Sequence, residues 1–473
     1  MNRFNKHKTL ILVMVVLALG ITSCRSYKDL TEAPAPDSKG LVRDTIGNAK
    51  DTASIADIPW KDYFADSRLQ QLIAEGINNN LDLKVAVLRI QEAEANLMMA
   101  GAANLPTVNA GFQITHIQTS TGSKGTNVLG YDYNVSNINQ LGFSASWEAD
   151  LWGKINSKAK VKYAALLNSN ENRNLVQTTL VANIAKAYYS LLAYDEELRI
   201  TKETVVSLQK SAETMQSLMT AGQQNAAAVE QSKALLYSTQ LSVPTLETEI
   251  RQQEDALCIL LGRKPGTVER STIADQNVAA RLSYGVPAKM LARRPDVKQA
   301  ELSLRSAYST VDIAKASFYP SFTISTATLG LAGAFTDFFK PANIAAEIIG
   351  GLTQPVFSQK QLKGNLKIAK AQQEEALLTF QSTVLTAGQE VSDILFGFQS
   401  SLSKNETRSK QIGSLVKSVD YTQELLKAGE ASYTEVLTAE RDLLSAQLSQ
   451  VTDKLEQLTY GVNLYKALGG GVR

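Results

Sequence analysis

Two stretches of the chain, from about Lys154 to Thr220 and from about Gln361 to Lys427, contain no proline and keep apolar residues at helical spacing. In the first, Leu180, Ile184, Ala187, Leu191, Tyr194, Leu198, Val205, Leu208, Ala212, Met215 and Met219 share one seam, which slips only at Thr201. A later helix repeats the spacing with Leu437, Leu444, Val451, Leu458 and Tyr465, interleaved with Leu448, Leu455 and Val462. These are coiled-coil seams. At ~1.5 Å per residue each proline-free stretch reaches about 100 Å as a helix, too long for any compact domain. The opposite faces are Ser, Thr, Gln, Asn, Lys and Glu, so the helices are expected to be wet outside and to build a rod or a tube.

The chain repeats itself. Ala103-Asn104-Leu105-Pro106-Thr107-Val108 is answered by Phe318-Tyr319-Pro320-Ser321-Phe322, Ala221-Gly222 by Ala428-Gly429, and Leu261-Gly262 by Leu468-Gly469, the last two pairs 207 positions apart. A unit of about 200 residues is far longer than a solenoid repeat and points to a duplication. The expected organisation is an export signal over 1–23, an extended linker over 24–55, a first repeat over 56–267 and a second over 268–473. Each repeat opens with an amphipathic helix, roughly 81–103 and 295–317, ended by a proline. A strand hairpin follows, about 105–150 and 319–356, and then the long helix. The helices turn back at tips near 221–225 and 427–433, where glycine permits the reversal.

The hairpins carry the second constraint. In Leu141-Gly142-Phe143-Ser144-Ala145-Ser146-Trp147-Glu148 every second residue is apolar, with small or polar residues between, which makes a strand with one greasy and one polar face. Val108–Ile114, Phe322–Ile324 with its continuation, and Ile344–Leu352 read the same way. Four such strands cannot close on themselves, and an open edge in lipid leaves backbone groups unsatisfied at about several kcal/mol each. Two chains would supply eight strands and three would supply twelve. An eight-stranded barrel fills with its own side chains, so a conduit favours a cyclic homotrimer. The fold class is therefore mainly α with a small β part: long antiparallel helices forming an α-barrel, plus four strands per chain in a trimeric transmembrane β-barrel.

Arg3, Lys6 and Lys8 precede an apolar run from Leu10 to Leu19, which is a secretory signal too short to span a bilayer. Ile21-Thr22-Ser23-Cys24 ends it in the manner of a lipobox, making Cys24 the acylated first residue of the mature chain and lipid a partner. The formal charge of +2 falls to about −1 without the three basic signal residues, so nucleic acid is not an expected partner. With histidine only at positions 7 and 116 and Cys258 inside an apolar stretch, no metal site, cofactor site or catalytic triad is expected, and the chain is not expected to be an enzyme. Gly330 and Gly333 are assigned to a hairpin turn, and Glu196-Glu197 and Glu374-Glu375 to exposed helix faces. Trp147 and Trp152 suit an interfacial girdle.

Arg293-Arg294-Pro295-Asp296-Val297 with Ala300-Glu301, then Ala314-Lys315-Ala316-Ser317-Phe318-Tyr319-Pro320, resembles the signature of the outer membrane factors, the TolC- and OprM-like family. Trp60, Leu69, Asn80-Leu81-Asp82-Leu83, Trp147 through Lys154, Ala428 through Tyr433, and Val436 through Arg441 extend the resemblance over roughly residues 55–470. The lipobox is similar to that of the branch of efflux lipoproteins. The resemblance implies a passive homotrimeric conduit in the outer membrane, with twelve strands above a periplasmic helical tunnel. It is opened by a periplasmic adaptor (membrane fusion) protein and powered by an inner-membrane pump of the RND type. It also implies that the adaptor docks at the tips, Ala221, Gly222, Lys427, Ala428 and Gly429, and that a periplasmic gate lies at Glu435 and Thr438. At the second gate position the family often has Asp, whereas this chain has Thr438. Two other readings stand beside efflux: an exit duct for type I protein secretion, and a lipid-anchored coiled-coil adaptor that spans nothing. The alternating strands speak against the adaptor, which has no use for them. Cys24→Ala should abolish incorporation of labelled palmitate into the protein, and label retained by that variant would overturn the lipobox assignment.

Overall fold

The computed structural model of the chain describes residues 26–35, 40–43, 58–116, 137–277, 292–333 and 344–472. Cys24, the export segment and most of the 24–55 linker lie outside the described residues. The elements run α1 (Trp60–Tyr63), α2 (Ser67–Asn79), α3 (Leu81–Ala102), β1 (Thr107–His116), β2 (Asn137–Ala149), α4 (Lys154–Thr220) and α5 (Ala226–Leu260). They continue with α6 (Pro295–Ala316), β3 (Ser321–Gly333), β4 (Ile344–Thr353), α7 (Gln361–Ala428) and α8 (Tyr433–Ala467). The proline-free stretches become single helices of 67 and 68 residues.

By contact the chain divides into two compact units, each drawing on both halves of the sequence. One combines residues up to Pro34 with Gln91–Asn168 and Glu301–Leu378; the other combines Ala35–Ile90, Ser169–Ala300 and Thr379–Arg473. The first holds the strands. They form one antiparallel sheet in the order β1-β2-β3-β4, so the two expected hairpins are joined by pairing between β2 and β3.

The register sorts the sheet by polarity. Val108, Ala110 and Phe112 stand opposite Ala145, Phe143 and Leu141, while Thr107, Asn109 and Gln113 stand opposite Ser146, Ser144 and Gln140. Trp147 and Ala149 continue the apolar rows to Ile324 and Phe322, and Phe322 to Leu352. Glu148 faces Thr323 in the polar rows. A bulge between Thr326 and Thr328 changes the parity of β3, so that Leu329 and Leu331 come opposite Phe143 and Leu141. The Thr326 hydroxyl accepts the Ala145 N–H at 2.7 Å where the ladder is interrupted. Gly330 and Gly333, assigned from sequence to a turn, are instead within β3, opposite Gly142 and Asn139. β2 begins at Asn137 and offers partners that far, and a glycine's lack of a side chain does not stop ladder hydrogen bonds from forming.

The second unit packs around α4. Between Leu180 and Ala193 that helix is buried on more than its seam, with Tyr188 and Tyr189 also enclosed. The Tyr188 hydroxyl donates to Asp66 Oδ2 at 2.7 Å and accepts from the Ser271 N–H at 3.0 Å. Tyr63 stacks on Tyr465 with centroids 4.2 Å apart and donates to the Gly461 carbonyl. Arg270 pairs with Asp195 and Glu254, fastening the segment after α5 to both α4 and α5. Cys258 is buried and in no disulfide among the described residues, and its thiol donates to the Gly266 carbonyl at 3.3 Å.

The Arg293-Arg294-Pro295-Asp296 motif acquires a physical role here. Buried Arg294 holds Asp296 through two nitrogens, at 3.0 and 2.8 Å, and reaches Glu390 of α7 at 2.7 Å. Its remaining arm donates to the Ala467 carbonyl at the end of α8, where the helix dipole favours a cation. One guanidinium thus joins the start of α6, the middle of α7 and the end of α8. Arg294→Ala leaves two carboxylates without their shared cation and should cost about 3–5 kcal/mol. Loss of the exposed Lys410–Glu406 pair should cost less than about 1 kcal/mol. Urea unfolding of the detergent-solubilised protein, followed by helical circular dichroism, checks the contrast.

Candidate functional site

The tips predicted from sequence are brought together. Gly222 and Gly429 adopt φ values of 69° and 76°, in the left-handed region where a side chain is strained. In each, the residue after glycine donates back to a carbonyl five positions earlier, Gln223 to Leu218 and Glu430 to Leu425, which is the Schellman closure of a helix end. Asn225 then caps α5, its side chain accepting the Ala228 N–H at 2.9 Å. Beneath the turns Met215 of α4, Ala228 and Val229 of α5, and Tyr433 and Val436 of α8 form one apolar cluster, joined by Leu426 of α7. Ala221, Gly222, Lys427, Ala428 and Gly429 all remain exposed.

Glu435 lies in the first turn of α8 and is exposed. It borders an open groove of about 440 Å³ with Ser418 of α7 and with Thr438 and Asp442 of its own helix. Thr438 turns its hydroxyl back to the Thr434 carbonyl at 2.8 Å. Asp442 extends the stripe begun by Glu435 and Thr438. Sequence reasoning passed it over, although spacing of three and then four residues would have placed it on that face.

A second acid that sequence reasoning missed is Glu440. It is 8% exposed, and its Oε1 accepts from Ser211 of α4 at 3.2 Å and from Gln423 of α7 at 3.3 Å. Oε2 has no hydrogen-bond partner among the described residues. Burial pushes the Glu440 carboxyl above its ordinary value, and the two hydrogen bonds only partly offset this. Nearby, the Tyr433 hydroxyl donates to Ser232 of α5 at 2.9 Å, so α8 is tied to α4, α5 and α7 by buried or partly buried polar contacts.

At the sheet ends, Trp147 donates its indole N–H to the Asn104 carbonyl at 2.8 Å, and Trp152 to that of Pro320 at 2.7 Å. Trp152 also stacks on Tyr319, centroids 4.7 Å apart. Phe112, Phe143 and Leu352 on the apolar rows are about half exposed or more, a greasy surface with no protein cover in one chain. Among the described residues no helix is long and apolar enough to cross a membrane, and no three His, Cys, Asp or Glu are grouped to hold a metal ion.

The sequence matches the family model described as outer membrane efflux protein over residues 72–263 and again over 286–470. The chain belongs to that family. The probable outer membrane lipoprotein SilC of Salmonella typhimurium is 28% identical over 98% of this chain and 99% of its own. The pyoverdine export outer membrane protein OpmQ of Pseudomonas putida is 30% identical over 97% of each. The open-state outer membrane channel MtrE of Neisseria gonorrhoeae superposes with a TM-score of 0.81 at 25% identity, covering 94% of this chain and 98% of that one. This efflux family member is thus an outer-membrane channel component, a conduit and not an enzyme.

Burial in the packed tip favours the protonated form of Glu440 more than water does. Its contribution to packing is complete below the ordinary glutamate value of 4.5 and is lost as pH rises through the raised one. Hydrogen exchange around residues 211, 423 and 440, corrected for intrinsic rates, should therefore become less protected between acidic and neutral pH. Glu440→Gln should flatten that dependence.

Proposed function

We propose that three copies of this efflux-family chain close their sheets into one twelve-stranded barrel, continued on the periplasmic side by a tunnel of their long helices. The observation that carries this reading is the amphipathic sheet with two open edges. Among the described residues β1 and β4 each have an unpaired side, and in a four-strand meander they run antiparallel, so β4 of one copy can pair with β1 of the next. In lipid that pairing is the only way to satisfy the edge groups. The two halves of each chain descend from a duplication. Two family matches support it, as do Schellman turns recurring 207 residues apart at Gly222 and Gly429 and at Gly262 and Gly469.

Cys24 carries the lipid anchor, a reading supported by the lipobox and by a lipoprotein relative matched over nearly its full length. A periplasmic adaptor docks on the exposed tips at Ala221, Gly222, Lys427, Ala428 and Gly429, and an inner-membrane pump of the RND type supplies the energy. Glu435 narrows the resting mouth with its two symmetry copies, and Asp442 supplies the second acid that Thr438 lacks. Crowded carboxylates at a constriction favour cations.

Native mass spectrometry of the purified protein, paired with single-channel recording, tests this. A trimer mass with cation-preferring conductance is expected. Glu435→Lys should reduce both cation preference and block by divalent cations, whereas Glu374→Lys, on an exposed face of α7, should change neither. A conducting monomer would refute the closure, and unchanged selectivity in Glu435→Lys would remove Glu435 from the mouth.

A further inference from the structure

The strand-bearing unit contains a groove of about 370 Å³ where α3, α4 and α6 meet below the sheet. Its floor is apolar, with Met99 from α3, Ala103 just past the end of that helix, Val161 from α4 and Ile313 from α6. Lys158 and Lys162 of α4 rise along its side, one helical turn apart and exposed. Neither has an ion pair or hydrogen bond among the described residues. Met99 is 61% exposed, so a flexible thioether sits open to whatever enters.

The groove's side of the wall follows from α4. Lys154, one turn before Lys158, approaches Glu148 at 4.0 Å, and Glu148 stands in the polar rows of the sheet. The N-terminal segment covers a different face of α4, where Leu30 packs with Ala164, Tyr163 and Leu167, and Tyr27 lies against Tyr163. Leu167 is nine residues from Lys158, half a turn out of phase at about 100° per residue. The lysines therefore continue the polar side of the sheet, which is the lumen side if the conduit closes as proposed above.

The placement of these charges is not explained by helix stability. Like charges one turn apart on a helix repel. Two unpaired ammonium groups above an apolar floor offer complementary contacts to one kind of solute, with a negative head and a greasy body. We propose that this groove is a transit site for amphipathic organic anions, holding the head on Lys158 and Lys162 and the apolar part against Met99, Val161 and Ile313. The inference rests on the conduit reading and adds a point in the wall where cargo chemistry matters.

Octyl sulfate, below its micelle concentration, is the probe, applied to full-length protein in planar bilayers while single-channel current is recorded. Wild type should show resolved current interruptions whose dwell time falls about tenfold in Lys158→Gln/Lys162→Gln and falls also in Met99→Glu. Lys160→Gln removes a charge from the same turns of α4 but from the face on the N-terminal segment's side, and it should behave as wild type. Inorganic sulfate and octyltrimethylammonium should not reproduce the interruptions. Channels that conduct but show equal dwell times in wild type and the double variant would overturn the transit site alone, as would equal block by octyltrimethylammonium. Absence of any conductance, in every variant, would overturn the conduit reading on which the site rests.

Discussion

A β-strand carries a hydrogen-bonding row on each side, and in hydrocarbon no water exists to satisfy a row left open. The four-stranded sheet has two such rows, along β1 and β4, and an apolar face suited to lipid. That demand organises the other features. Small and polar residues on the opposite face leave room for water rather than for packed side chains. The bulge in β3 keeps its later residues in step with the apolar rows of β2, which a regular strand of this sequence would not do.

Away from the strands, stability depends on charge and polarity placed inside helix contacts. Arg294 works because each of its three nitrogens finds an acceptor and those acceptors lie on three elements, so a costly buried cation becomes a junction. Glu440 is the opposite case, a buried carboxyl with two neutral donors and, among the described residues, one oxygen unmet and no cation against it. The charged groups at that level, Lys210 and Glu213 on α4 and Asp420 and Glu424 on α7, are all exposed. Packing at the tip is therefore coupled to protonation, while packing around Arg294 is held by matched charges.

The sequence by itself determined the helices, the strands and the tips, because each rests on local periodicity. No proline interrupts residues 154–220 or 361–428, and alternation in 141–148 admits one strand register per face. Gly222 and Gly429 stand where the seams end, and glycine is what a left-handed turn requires. Tertiary structure alone decided what depends on residues remote in the chain. Glu440 reads as a surface glutamate until Ser211 and Gln423 close over it. Arg294 looks like a helix-start residue until the end of α8 arrives 173 positions later. Gly330 and Gly333 look like a turn until β2 supplies partners for them, and Lys158 and Lys162 look like solvated lysines until Met99 and Ile313 lay an apolar floor beside them. Periodicity acts over a few residues and is written in order along the chain, whereas burial and charge pairing arise only when distant segments meet.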